Sequence, residues 1–498
     1  MAGRQGMSEC SSALTICPYL LICHDIFSTF APPMQQYLDT SNSPPVTRLL
    51  ARMIVNTRYE DLSPVTVKAA ELALYDWVGC AMVSGQTEKA AKMARVAAAE
   101  GAQGGALVFA DGKRTSPHWA AFANGASHAV ELDDVHMASI IHGGIVICPT
   151  ALSVAEQSRA SGKKLIEGLV VGFDVAYRIG EAIAKTHYLM WHSTGTVATF
   201  GAAAAAAKIM GLDEDQTCWA LGNAASQAAG IWEYLKFGDD TKLLHSGKAA
   251  MNGLLAASLA REGFTGSDTG IEGERGFLAT MSGSSNPAAV NWDAMTRDLG
   301  KKFKVDENGY KLHACCRHGH VSIDNALRLI QQHGIRADQV KAVRVQMNRN
   351  SCDTLGDSDP VSPYKAKFSL AFFMATCFLH RKVGMEAFTD DRLRDPAMRA
   401  FMKKVSYLEN PEYTRNYPRL WTASLEVELQ DGQVLSTQGD LPYGDPATEL
   451  PIPLFEQKAL DMMGSVVGAD RARGLLAAMQ QLPEVGDVSR IFDGYPYR

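Results

Sequence analysis

Through the first three hundred residues, apolar positions recur at helical spacing and are broken by capping residues. Ser63-Pro64 supplies an N-cap followed by proline at the first helical position, and the run from Val65 to Val83 stops at Gly85. Six consecutive alanines, Ala202 to Ala207, lie in a helix expected over 200–210 and capped at Gly211. Asp213 opens another helix, and Ala249 to Arg261 forms one more, closed by Gly263. The density of Ala and Gly allows close helix–helix approach and predicts a tightly packed all-α core. Near residue 303 the pattern changes. Lys341 to Met347 alternates and carries β-branched residues, as a half-buried strand does. Ser424–Gln430 and Gln433–Thr437 flank Asp431-Gly432 and predict a hairpin with a type I′ turn. A helical stretch near 317–334 precedes these strands and one near 364–380 falls between them, and helices return over 454–463 and 469–481.

The fold class expected is therefore mainly α with a smaller α+β part. A large helical domain (46–302) is interrupted by an α+β lid domain (303–440), and C-terminal helices (441–498) rejoin the first. Residues 1–45 end in Thr-Ser-Asn-Ser-Pro-Pro and read as a disordered or weakly targeting extension. The apolar stretch from Ala13 to Phe27 is interrupted by Pro18 and lacks a nearby small-x-small cleavage site, which argues against a signal peptide.

Composition narrows the function classes. The 498 residues carry 48 basic and 54 acidic side chains, a net charge of −6, with no long basic run, which removes the electrostatic footprint of a nucleic-acid binder. No run of eighteen apolar residues appears, so no membrane span is expected. The 10 cysteines are scattered without a Cys-x-x-Cys spacing, which speaks for reduced thiols and against structural zinc or iron–sulfur clusters. A cytoplasmic protein is expected, with a mitochondrial location as the alternative.

Ten of the 13 histidines fall between positions 118 and 320, where four clusters carry candidate chemistry. The first is His128-Ala-Val-Glu131-Leu-Asp133-Asp134-Val-His136 with His142-Gly143-Gly144. Its carboxylates and imidazoles, flanked by apolar runs, suit acid–base work, because burial and mutual charge shift such groups towards neutral pKa values. A divalent-ion site of Asp133, Asp134 and His136 is the competing reading, but no His-Glu-x-x-His motif supports it, and no metal is expected. The second is His192-Ser-Thr-Gly195 before the alanine-rich helix, a plausible anion cradle or a plain cap. The third, Lys242-x-x-His245-Ser-Gly247-Lys248, would hold carboxylates; a solvated charge run is the bland alternative. The fourth, Lys311-Leu-His313-Ala-Cys315-Cys316-Arg317-His318-Gly319-His320, stands at the domain boundary, where ligand sites often form. Cys316 as a nucleophile lacks an ordered Cys–His–Asn signature. With no glycine-rich phosphate loop or dinucleotide fingerprint, no cofactor is expected.

Together and in this order, these elements resemble the MmgE/PrpD family, which includes 2-methylcitrate dehydratases, cis-aconitate decarboxylases and an iminodisuccinate epimerase. The resemblance is carried by Leu74-Tyr-Asp76-Trp-Val-Gly79, Ala123-Asn-Gly-Ala-Ser-His128, Glu131-Leu-Asp133-Asp134, His142, His192-Ser-Thr-Gly195, Ser226-Gln-Ala-Ala-Gly230, Lys242-x-x-His245-x-Gly247 and Cys316-x-x-x-His320, from about residue 46 onwards. It implies a homodimer with a cofactor-free site between a helical domain and an α+β lid, acting on a small di- or tricarboxylate. His142 would transfer the proton with Glu131 as orienting or acid partner. His192, Lys242, His245 and Lys311 would bind carboxylates, and Asp133, Asp134 and His320 are further candidates. Glu131 stands where many members carry Asp, Val135 where many carry Thr, and His313-Ala314 replaces a common aromatic-Pro pair. Dehydration of a 2-methylcitrate-like or alkylcitrate substrate is the first expectation and decarboxylation of cis-aconitate the alternative. An epimerase of an amino polycarboxylate and a non-catalytic polycarboxylate binder complete the field.

Overall fold

The computed structural model describes residues 40, 42–284, 286–448 and 452–495. The expected N-terminal extension therefore lies almost wholly outside the described residues. Helix makes up 60 % and strand 8 % of the structure, a mainly α protein with a smaller α+β part.

Eleven helices carry the architecture described below. They are α1 (Val46–Asn56), α2 (Pro64–Gly85), α3 (Gly144–Ser158), α4 (Gly162–His187), α5 (Ala198–Met210), α6 (Glu214–Ala225), α7 (Thr241–Arg261), α8 (His320–His333), α9 (Leu370–His380), α10 (Ile452–Val467) and α11 (Ala469–Gln480). Local chemistry sets many of their ends. Ser63 accepts the Thr66 N–H at the start of α2, directly before Pro64. Asp213 and Gln216 form a capping box on α6, and Gly211 closes α5 in the left-handed region.

Helix α5 runs through the middle of the larger core, packed between α4 and α7, with Ala202–Ala207 all buried. Small residues are needed there: a Cβ on Gly253 of α7 would collide with Ala202 and the Thr199 carbonyl. Helices α10 and α11 return after the sheet and pack on α2.

A second core forms around a four-stranded sheet of β1 (Val340–Met347), β2 (Val405–Glu409), β3 (Ala423–Leu429) and β4 (Val434–Gly439). The strand order is β2-β1-β3-β4, with β1 and β2 parallel (Val343 opposite Val405) and the other neighbours antiparallel. Burial alternates strictly along β3, as expected for a sheet covered on one face, here by α8. The β3–β4 hairpin forms where expected but not through a type I′ turn. The Gly432 N–H bonds the Leu429 carbonyl and Gly432 alone takes a positive φ of 91°, while Asp431 keeps a negative φ. The connection is thus a three-residue loop with its bulge at the glycine, the form that spares Asp431 the left-handed conformation. Val130 and Leu132, from the larger domain's sequence, join this second core, so the segment carrying the first chemical cluster lies where the two cores meet.

Candidate active site

The cleft is built where a tight turn meets α7. Residues 125–130 form a 3-10 turn that ends with Glu131 in the left-handed region (φ 57°, ψ 31°). That turn lies directly on α7: a Cβ on Gly125 would come within 2.6 Å of the Gly247 nitrogen. The contact brings Lys242, one turn up the same helix, to Glu131, with Nζ 2.6 Å from Oε1. Lys311, entering from the connection to the second domain, donates to Glu131 Oε2 at 3.2 Å and lies 3.5 Å from Asp133. Glu131, Asp133, Lys242 and Lys311 are all buried. Burial would raise the Glu131 carboxyl, but His128, Lys242 and Lys311 hold it well below the usual carboxylate range. Asp133 is likewise held low against its burial by His128, Lys311 and His142. Lys311 is raised despite burial because Asp133 and Glu131 face it.

His142 stands at the opening of α3. Its Nδ1 donates to the Asp134 carbonyl at 2.7 Å and lies 2.8 Å from Asp133 Oδ2. A carbonyl only accepts, so the Nδ1 proton is fixed and Nε2 remains for the cleft that His142 lines. Burial lowers the His142 pKa and Asp133 opposes the shift.

Among the predicted residues, the structure brings Glu131, His142, His192, Lys242 and Lys311 together around one cleft. His245 lies behind it, with its Nδ1 3.1 Å from His192 Nδ1. Asp134 turns away: both its oxygens accept the Gly144 N–H at 2.9 Å, Asn308 donates at 2.8 Å, and burial pushes its carboxyl up to about 7. His320 also lies outside the cleft, fully buried, with Arg317 3.2 Å from its Nδ1 and the Cys315 carbonyl 3.2 Å from its Nε2.

Several residues in and around the cleft were given no site role from the sequence. His128, fully buried, sits 2.7 Å from Asp133 and 3.6 Å from Glu131, and burial pushes its pKa down to about 4. It stood in the first cluster, but nothing in the local pattern says that its ring turns inward. Lys367 donates to the Val130 carbonyl at 2.7 Å, beneath the Glu131 turn. Val135, Ile140, Trp232, Leu235, Phe368 and Trp421 supply an apolar wall. Cys316 also lines the cleft, the one cysteine among the described residues that is not fully buried, and burial pushes its thiol up to about 11.

Among the described residues, two groups offer metal-ligand atoms within 4.8 Å of one another. In the first, His128, Asp133 and His142, the Nδ1 of His142 is engaged by the Asp134 carbonyl and Lys311 already neutralises Asp133. In the second, His136, Glu181 and Glu307, the Lys304 ammonium bonds both carboxylates. The sequence-level trio of Asp133, Asp134 and His136 does not converge, because the three side chains take different partners.

The arrangement as a whole is a helical protein with an α+β second domain and a buried, cation-lined acid–base cleft at their junction. The MmgE/PrpD N-terminal domain matches residues 48–289 and the MmgE/PrpD C-terminal domain residues 313–484, and the chain belongs to this family. It is 27 % identical to the cis-aconitate decarboxylase-like protein oryM of Aspergillus oryzae, over 90 % of this chain and 96 % of that one. It is 25 % identical to a cis-aconitate decarboxylase of Aspergillus terreus, over 92 % and 97 % of the two chains. The human cis-aconitate decarboxylase is 26 % identical over 76 % of this chain and 79 % of its own.

Proposed function

We propose that this chain is a lyase that decarboxylates an unsaturated tricarboxylate of the cis-aconitate type, with His142 as proton donor. The observation that carries the proposal is the convergence of Lys242, Lys311 and the free Nε2 edge of His142 on one apolar-walled cleft. The two lysines and His192 bind carboxylates of the substrate. A further carboxylate lies against the apolar wall, where charge is poorly solvated and loss of neutral carbon dioxide relieves that cost. The carbon–carbon bond to this group breaks and its electron pair forms a new double bond. The old double bond shifts, and the former alkenyl carbon takes a proton from His142 Nε2. Asp133, 2.8 Å from Nδ1, stabilises the imidazolium that supplies this proton.

Dehydration of a 2-methylcitrate-like substrate needs an acid at the leaving oxygen as well as a base at carbon. An ionised Glu131 and a protonated His142 serve that need as well as they serve decarboxylation, so decarboxylation is chosen on other grounds than the acid–base groups of the cleft. The relatives named as cis-aconitate decarboxylases support that choice.

Purified protein incubated with cis-aconitate and with 2-methylcitrate, followed by mass spectrometry, tests this. Loss of carbon dioxide from cis-aconitate is expected. Loss of water from 2-methylcitrate with cis-aconitate untouched would replace decarboxylation by dehydration. The homodimer implied by the family belongs to the same proposal. Leu189, Met190 and Ile231, each more than half exposed near the cleft, supply apolar surface in its favour, and light scattering at twice 53.8 kDa is the expected reading.

A further inference from the structure

His192 and His245 meet through like atoms: Nδ1 of one ring is 3.1 Å from Nδ1 of the other. Both side chains are buried. The pair is also caged. Trp232 and Tyr234 pack on His192 with ring centroids 5.0 and 5.7 Å away, and Tyr234 packs edge-on against His245 at 5.4 Å. Behind the rings, a Cβ on Gly195 would come within 3.0 Å of His245 Cβ, so the backbone leaves little room for His245 to swing away. Burial lowers both pKa values, His245 to about 4, so both rings are neutral near pH 7.

A neutral imidazole carries one N–H and one lone pair. Across an Nδ1–Nδ1 hydrogen bond, therefore, one ring holds its proton at Nδ1 and the other at Nε2. If His192 were the donor, its remaining polar atom, Nε2, would offer a lone pair to a cleft that otherwise gathers cations for carboxylates. If His245 is the donor, His192 Nε2 carries the proton and can bond a carboxylate oxygen. We infer that His245 is a positioning residue that donates from Nδ1 to His192 Nδ1 and so fixes His192 as an Nε2–H donor to the substrate. The inference rests on the polycarboxylate reading of the cleft, but not on which bond the enzyme breaks. It also moves His245 from the substrate-binding role expected from the sequence to one exerted through His192.

The test reads the tautomer and the binding separately from turnover. Full-length enzyme with 15N-labelled histidine is examined by long-range 1H–15N correlation, with His192 assigned by its loss in His192→Gln. An unprotonated Nδ1 and protonated Nε2 on His192 are expected; a protonated Nδ1 would overturn the inference. Calorimetry with propane-1,2,3-tricarboxylate, a saturated analogue that cannot react, measures the consequence. His245→Leu should weaken its binding about tenfold or more, since a hydrogen bond to a charged group is lost. His245→Asn, whose amide reaches the Nδ1 position, should recover most of that loss. A loss in the leucine variant that asparagine does not recover would mean a packing role only and would overturn the inference. Should the leucine variant fail to fold, the wild-type tautomer and the asparagine variant still decide. A wild-type enzyme that fails to bind the analogue overturns the polycarboxylate reading, whereas the expected tautomer with no turnover of cis-aconitate overturns only the reaction.

Discussion

At the scale of single residues, the cleft is a problem in placing charge where water is scarce. Glu131 and Asp133 face Lys242 and Lys311, so four full charges are buried and none lacks an opposite charge within 3.5 Å. Removing one member strands its partner, which is why such clusters are costly to alter. His142 is different, since the proposed reaction changes its charge. If it donates a proton, the free enzyme must hold it as imidazolium, and burial lowers its pKa below the ordinary 6.5. Hence kcat/KM should fall as pH rises through a value below 6.5. In the complex the substrate's carboxylates favour imidazolium, so the corresponding limb of kcat should lie at higher pH. Asp133→Asn removes the charge that opposes burial, and should move the kcat/KM limb to still lower pH. A profile that rises with pH would instead make His142 a base. His142→Gln should lower kcat/KM by about 10² to 10⁴.

At the scale of elements, Asp134 shows how a residue of catalytic type is used for structure. Its carboxylate takes the Gly144 N–H at the first position of α3 and the Asn308 amide, tying the helix start to the entry of the second domain. Asp134→Ala should cost about 1 kcal/mol for the lost cap, with more for the stranded amide. Asp134→Asn keeps the shape without the charge. The folded-state pKa of Asp134, about 7, lies above its unfolded value of about 3.9, so the folded state binds more protons between them. Stability from this group is therefore full below about pH 4 and is lost as pH rises towards 7. The asparagine variant lacks that loss, and its stability relative to wild type should rise between pH 5 and 7.5 in urea titrations. A gap independent of pH would show that the carboxyl is not perturbed. Elements of this kind were partly legible in advance. The caps at Ser63, Asp213 and Gly211 act within a few residues and can be read directly, and the strands at 340–347 and 423–439 follow from alternation and a turn. The edge strand 405–409 was not anticipated: it is short, largely exposed, and defined by parallel pairing with a strand sixty residues earlier. The site was legible as residue types in four runs, but their convergence was not. Lys311 meets Glu131 across 180 positions, and only the family resemblance joined those runs beforehand.

At the scale of the whole molecule, a buried cation ties the returning C-terminal part of the chain to the cleft. Lys458 of α10 donates to Asp76 of α2 at 2.7 Å and to the Leu132 carbonyl at 2.6 Å. Leu132 stands between Glu131 and Asp133, so the returning helix holds the backbone on which the cleft carboxylates are mounted. The pair spans 382 positions and is nearly buried, with side-chain exposures of 9 % and 3 %. Burial pushes the Asp76 carboxyl up even with Lys458 beside it. Lys458→Met leaves Asp76 without its cation and should cost about 3–5 kcal/mol. Asp76→Asn in the same chain removes the stranded charge, so the double variant should lose clearly less than the sum of the two single losses. Stability and catalysis should then part company. The double variant recovers part of its folding free energy, but the Leu132 carbonyl still lacks its donor, so kcat/KM should stay low relative to Asp76→Asn alone. Additive losses in denaturant titrations would mean that the ion pair is not coupled. Recovery of kcat/KM together with stability would mean that α10 supports the fold without steering the cleft.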